Sequence, residues 1–353
     1  MTFDWEKNDA KEKFKNFERK RSLSWAVVEI TEYCNFNCKW CFANAGENPK
    51  PVHMEKENAF RLIETLADSG VRQITFSGGE PTVYPYIADV ISKAHDSGMV
   101  VHMNTNGYLM TRELAEKLKG RGLSQVQINI DSLDPEAHDY IRGRQGSHER
   151  AIQALKNART AGLTCVSQTV LTKKNEDEIV DIFKFARSMG LQRCRVWDMT
   201  PSDGCAKENM ELMPADYIAT LQQLADFAHK TGGQNIEAGE PLFLKNIETD
   251  LPVSGGFCVA MAGLIINVGA NGDIYFCSTN RIPLYNIFQI NGKLKEVHRM
   301  KVGEYTYSLS GCKNCNISCE GGCNTRQQAP LWRDYWCNHL VFGTETVPQE
   351  AVV

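Results

Sequence analysis

Residues 71–107 read VRQITFSGGEPTVYPYIADVISKAHDSGMVVHMNTNG. A β-branched run at 71–76 enters a glycine-rich loop. Apolar residues then follow at helical spacing (Ile87, Val90, Ile91 and Ala94), and Gly98 separates them from a second strand-like run at 99–103. Strand, loop, helix and strand in this order make a βαβ unit. Its strands lie parallel in one sheet, joined by a right-handed crossover.

The same unit recurs on both sides. Gly70, Gly98, Gly122, Gly162 and Gly190 each end a helical pattern, as a left-handed C′ residue does. Each leads into a strand-like run, at 71–76, 99–103, 123–130, 163–171 and 191–197, and a further run at 26–30 comes first. The fold class is α/β: six parallel strands curled into a partial (β/α)6 barrel. After Trp197 the pattern changes to a polar loop at 201–214 and an amphipathic helix at 215–231. From Gly255 onward the chain holds short strands, glycines and cysteines. Residues 265–268 and 274–276, separated by Asn271-Gly272, predict a β-hairpin. The expected organisation is a charged helix over 1–23, a barrel over 24–235 and a small cysteine-rich domain over 236–353.

A chain of 353 residues has room for a full α/β domain and a smaller one. No apolar run approaches the roughly 20 residues of a membrane span, and the charged N-terminus has no secretory h-region. The expected location is therefore the cytoplasm, with no membrane partner. A net charge of −4 offers no electrostatic case for nucleic acid. The 13 cysteines, an odd number without a signal peptide, argue for metal ligation rather than disulfides.

The first cysteine group, in ITEYCNFNCKWCFANAG, places Cys34, Cys38 and Cys41 on one loop directly after the first strand. Three thiolates suit an iron–sulfur cubane with one iron left open. A zinc site would want a fourth ligand close by, and the next histidine is His53. This loop resembles the CxxxCxΦC signature of the radical S-adenosylmethionine (radical SAM) superfamily, in which the open iron of a [4Fe-4S] cluster chelates SAM. The segment SGGEP resembles the superfamily's GGE motif. The resemblance implies that Gly78, Gly79 and Glu80 meet the methionine ammonium. It also implies that Asn129 and Asp131, in the place of an SxD pair, meet the SAM ribose. Asn104 and Asn106 suit a turn or a cofactor contact equally. Arg142 and Gly143 are read as surface cover rather than as partners of the SAM carboxylate.

The C-terminal third contains Cys258 and Cys277 at spacing C-x13-G-x4-C, then Cys312, Cys315, Cys319, Cys323 and Cys337. This array resembles the SPASM extension of radical SAM enzymes, which implies two auxiliary [4Fe-4S] clusters. One gap departs from that pattern, with three residues between Cys315 and Cys319 in place of five. Cys205, in the loop after the sixth strand, is a candidate ligand of the inner auxiliary cluster. It is also a candidate thiol donor of a hydrogen atom, or simply a loop cysteine. Cys165 and Cys194 are read as packing at the bottom of the barrel.

The resemblance implies reductive cleavage of SAM to a 5′-deoxyadenosyl radical. That radical abstracts hydrogen from a small molecule (a sugar, nucleoside or cofactor precursor) or from a peptide. Oxidation, epimerisation or bond formation follows, with a flavodoxin or ferredoxin as electron donor. A peptide maturase forming thioether or carbon–carbon links is the alternative. Because only about 25 residues precede the first strand, that alternative calls for a separate leader-binding partner. A non-enzymatic electron carrier is disfavoured by SGGEP. Sulfatase-type maturation is disfavoured by Ser278, which follows Cys277 where those relatives place an Asp base.

Overall fold

A computed structural model describes residues 23–191, 193–199, 210–231, 236–238, 260, 263–279 and 281–308. The N-terminal helix expected over 1–23 lies outside these apart from Leu23. Cys205, Cys258, Cys312, Cys315, Cys319, Cys323 and Cys337 lie outside them as well.

Six parallel strands form as the sequence predicts: β1 (Trp25–Thr31), β2 (Gln73–Gly78), β3 (Val100–Thr105), β4 (Leu123–Asn129), β5 (Thr164–Leu171) and β6 (Arg193–Asp198). Between them run α1 (Lys56–Asp68), α2 (Ile87–Asp96), α3 (Arg112–Gly120), α4 (Pro135–Arg142), α5 (Ser147–Thr160) and α6 (Ile179–Ser188). The helix-closing glycines take positive φ, from 68° at Gly190 to 99° at Gly122. Alternate strand residues such as Val28, Ile74, Val101, Val126 and Val196 are fully or almost fully buried in one core. Leu62, Leu66, Ile91, Leu118 and Leu155 of the helices share it. The other alternate set, including Glu29, Thr75, His102, Gln127 and Gln168, is polar and occupies the opposite face. The helices thus take the apolar face, and the barrel lumen keeps the polar one. Cys165 and Cys194 are buried near the starts of β5 and β6, as packing cysteines should be.

The sheet extends further than the six-strand reading. α7 (Pro214–Thr231) leads to β7 (Ile236–Ala238), which pairs parallel with β6. The expected hairpin forms from β8 (Ile265–Val268) and β9 (Asp273–Tyr275), and β10 (Pro283–Asn286) pairs antiparallel with β9. The hairpin does not stand apart, because β8 runs parallel to β1 in register Trp25↔Ile265 to Val28↔Val268. Among the described residues the order is β10-β9-β8-β1-β2-β3-β4-β5-β6-β7. The physical reason is the edge: without β8, strand β1 would leave a row of backbone groups unpaired. The hydrogen bonding therefore crosses residue 235 at both ends of the sheet. No helix among the described residues is long and apolar enough to cross a membrane.

Helix α8 (Leu294–Ser308) is tied to these added strands through His298, which is 2% exposed. A buried backbone carbonyl only accepts, so His298 Nε2 donates to Ile265 O at 3.0 Å. Its Nδ1 then accepts from Tyr285 Oη at 2.9 Å. Burial pushes this imidazole down to about 4. The unfolded chain binds protons near pH 6.5, so it holds more protons than the folded chain between those values. Stability contributed by neutral His298 is complete above pH 6.5 and declines as pH falls toward 4. The expected slope is at most about 1.4 kcal/mol per pH unit. Urea unfolding across this window is expected to show the decline, with a shallower slope in His298→Gln. Parallel slopes in the two proteins would contradict this assignment.

Candidate active site

The loop carrying Cys34, Cys38 and Cys41 leaves β1 through a bulge, a register shift between Glu29 and Thr31. It is then clamped from three sides by backbone. Gly79 N donates to Thr31 O at 2.7 Å, and Glu80 N donates to Tyr33 O at 2.8 Å. From α4, Ile141 O accepts from Lys39 N at 2.9 Å. These contacts are close enough to require glycine. A Cβ on Gly79 would stand 2.1 Å from Tyr33 O, and one on Gly143 would stand 2.0 Å from Asn37 O. The Gly-Gly-Glu segment therefore has a role the sequence did not announce, which is to fix the backbone that presents Cys34.

Glu80 is 1% exposed, and its carboxylate is densely engaged. Oε1 accepts from Thr82 N (3.0 Å), Thr82 Oγ1 (2.6 Å) and Thr105 Oγ1 (2.6 Å), while Oε2 accepts from Asn106 N (2.7 Å). Two carboxylate oxygens offer about four lone-pair sites, so remaining capacity lies on Oε2. Asn106 does more than turn the chain. Its Oδ1 accepts from Tyr108 N, and its Nδ2 donates to Asn35 Oδ1 at 2.7 Å, reaching the cysteine loop. Asn104 lies on β3 opposite Gln127.

Arg142 corrects the sequence reading. It is 4% exposed, with its guanidinium 4.9 Å from the Trp40 ring centre and 5.5 Å from that of Phe36. Nη1 donates to Asp131 Oδ2 at 3.3 Å. Helix α4 places it there: Asp134 caps the helix by accepting from Glu136 N at 2.8 Å, and Gly143 ends it at φ 62°. The last helical residue is thereby turned against the cysteine loop. An Arg-Gly pair at a helix end looks like an ordinary exposed terminus, and only the fold-back of α4 reveals otherwise.

Asp131 is completely buried; Oδ1 accepts from Val170 N at 2.9 Å and Oδ2 from Arg142. Burial raises its pKa while the Arg142 charge opposes that rise. In this geometry Asp131 serves Arg142. The Asn129 amide faces Asp131 and favours its ionised form, but Nδ2 carries two N–H groups and meets no partner at full hydrogen-bonding geometry among the described residues. Of the two residues expected at a ribose, Asn129 is the one with an N–H left to offer.

Burial pushes the Cys38 thiol up to about 12 and Cys34 up to about 11, with Arg142 pulling against it in both. Among the described residues no three Cys, His, Asp or Glu side chains stand together as ligands of a single ion. The charges of Cys34, Cys38 and Cys41 reach one another, and that of Arg142 reaches Cys34 and Cys38. Three soft thiols on one loop suit a multi-iron cluster that takes each thiolate on a separate iron. Cys277 follows β9, with its sulfur 3.2 Å from Thr279 Oγ1. Ser278 donates to Asn267 Oδ1 at 2.9 Å.

Comparison with known proteins agrees with this geometry. An AdoMet-dependent heme synthase of Methanosarcina barkeri is 31% identical over 201 residues, 57% of this chain and 56% of that protein. The mycofactocin maturase MftC of Mycolicibacterium smegmatis is 25% identical over 313 residues, 85% of this chain and 77% of that one. The chain thus spans only a little over half of the heme synthase. In fold, it superposes on Streptococcus suis SuiB bound to S-adenosylmethionine with a TM-score of 0.70, at 21% identity, covering 90% of this chain and 77% of SuiB. Residues 28–186, from within β1 to within α6 and including every residue of the clamp, match the radical SAM superfamily.

Proposed function

We propose that this enzyme binds a [4Fe-4S] cluster through Cys34, Cys38 and Cys41 and uses it with SAM to abstract hydrogen from a substrate in the barrel lumen. The observation that carries the reading is the three-sided clamp on the cysteine loop. It fixes the thiols beside a buried guanidinium at the open end of a polar barrel. When bound, the cluster supplies one electron to the SAM sulfonium, giving methionine and a 5′-deoxyadenosyl radical that takes the hydrogen atom.

The chain's own residues do the remaining work. Gly78 and Gly79 bring backbone close to the methionine ammonium, with Glu80 Oε2 as the nearby negative charge. Arg142 offsets the charge of the thiolates, and Asn129 offers its amide to the ribose. Trp40, Ile141, Val170, Met199 and Met210 form an apolar cluster beside this site that keeps water from it. Cys258, Cys277, Cys312, Cys315, Cys319, Cys323 and Cys337 supply two auxiliary clusters, and Cys205 is a further ligand or a hydrogen donor. A flavodoxin or ferredoxin delivers the electron, in the reducing cytoplasm where such thiols persist. The substrate is a small molecule or a peptide. Peptide maturation draws its support from the maturase MftC, whose likeness extends over 85% of the chain.

Two tests follow. After anaerobic reconstitution, changing Cys34, Cys38 and Cys41 together to Ala is expected to remove about four irons per chain and abolish 5′-deoxyadenosine formation. Continued formation of 5′-deoxyadenosine in that triple variant would sink the reading. Gly79→Ala separates the clamp from ligation, since it leaves every thiol in place but drives a Cβ into Tyr33 O. It is expected to lose the iron of this one cluster, or most SAM cleavage, while the auxiliary iron remains. Wild-type iron and wild-type cleavage in Gly79→Ala would show that the clamp is dispensable.

A further inference from the structure

On the face of the sheet away from the helices, β4, β5 and β6 carry a directed chain of hydrogen bonds. Arg195 Nη1 donates to Gln127 Oε1 at 2.6 Å, and Gln127 Nε2 donates to Gln168 Oε1 at 2.6 Å. Strand pairing sets Arg195 beside Gln168 and Gln168 beside Asn129. Direction matters here. Both amide oxygens are engaged, a guanidinium never accepts, and the chain ends on the Gln168 amide N–H groups.

Independent observations point the same way. Two residues on from Gln127 and Arg195, hence on the same faces of their strands, stand Asn129 and Trp197. Trp197 Nε1 is a buried donor with no hydrogen-bond partner among the described residues, whereas the Asn129 amide, which faces Asp131, is the one assigned to the SAM ribose. A buried N–H without a partner is costly, and native proteins rarely keep one unless a ligand completes it. Lower in the lumen, Gln125 Nε2 stands 3.5 Å from His102 Nδ1. The amide nitrogen only donates, so the neutral imidazole carries its proton on Nε2 and adds one more N–H. Burial, reinforced by the charges of Arg193 and Arg195, keeps that ring neutral, with a pKa near 4. A wall that presents the Gln168 and Trp197 N–H groups beside the fixed positive charge of Arg195 selects oxygen lone pairs with negative charge.

We propose that Arg195, Gln127 and Gln168, with Trp197 above them, hold an oxyanionic group of the substrate, a carboxylate or a phosphate, and so determine its specificity. This rests on the reading that SAM and substrate share the lumen. SAM carries a carboxylate of its own, so the test must tell the two apart. Reconstituted enzyme saturated with SAM is titrated calorimetrically with succinate and with inorganic phosphate at constant ionic strength. The SAM-loaded wild type is expected to bind at least one of these anions. Arg195→Gln is expected to weaken that binding by about tenfold or more. Gln168→Glu, which sets a carboxylate against the incoming anion, should be at least as damaging, and Arg195→Lys, which keeps the charge, should recover part of the loss. SAM affinity is measured in the same preparations and is expected to match wild type. The proposal is overturned if the SAM-loaded wild type binds neither anion, or if Arg195→Gln and Gln168→Glu bind them as wild type does. It is also overturned if the anions compete with SAM, which would assign this wall to the methionine carboxylate. Wild-type 5′-deoxyadenosine formation is scored separately. Its presence alongside any of those failures removes the anion wall and leaves the SAM chemistry standing.

Discussion

The backbone hydrogen bonds from Gly79 and Glu80 to the carbonyls of Thr31 and Tyr33 govern the mouth of this barrel. They join the end of β2 to the chain leaving β1 at the point where side chains must become ligands. A loop of three cysteines is by itself a flexible hairpin of thiols, and flexible ligands pay an ordering cost when they bind. Here the cost is met during folding. The Glu80 carboxylate holds the tops of β2 and β3 together through Thr82, Thr105 and Asn106, and Asn106 passes the restraint on to Asn35. Core packing of the helices thereby fixes the position of Cys34.

Arg142 carries the electrostatic half of the same design. A guanidinium buried beside thiols and aromatic rings is tenable only with a counter-charge, and Asp131 supplies it at 3.3 Å. Removing one member of such a pair strands the other, typically at about 3–5 kcal/mol, whereas the intact pair contributes little to stability. Its value lies in placement. Asp131 is anchored to the backbone of β5 through Val170 N, so the guanidinium is referenced to the sheet rather than to a mobile loop. The aromatic faces of Trp40 and Phe36 bracket it further. Neutral partners in the same positions would fill the space but leave the thiolates without an opposing charge.

How much of this was legible in the sequence follows from the range over which each feature is encoded. The β1–β6 strands, their helices and the helix-ending glycines are written in local periodicity, so they form where the sequence places them. Cys34, Cys38, Cys41 and Gly78-Gly79-Glu80 are short motifs and were equally legible. What escaped was long-range. The pairing of Trp25 with Ile265 depends on β1 lacking a partner on one edge, which no window of sequence reports. The burial of Arg142 depends on α4 folding back so that Ile141 O meets Lys39 N. The bond budget of Asp131 was hidden for the same reason, because Val170 lies on the next strand.

The lumen sharpens this distinction. In a parallel strand covered by helices on one side, the sequence shows alternation, and the apolar half of the pattern identifies the fold. The polar half is read by default as solvated surface. Gln127, Gln168 and Arg195 break that default because closure of the sheet turns their face inward, where each polar group must find a partner within the protein or in a ligand. Glu29 shows the first outcome. It stands on the lumen side of β1, and Arg281, from the chain between β9 and β10, meets both its oxygens at 2.6 and 2.8 Å. Tyr275 lies 4.8 Å from that guanidinium, so this charge pair is complete within the protein. Trp197 Nε1 shows the other outcome: no described residue completes it. The two sides of one lumen therefore differ in kind. The wall next to β8 is satisfied and structural, whereas the wall of β4–β6 keeps donors in reserve, and chemistry that needs a bound substrate belongs against the second.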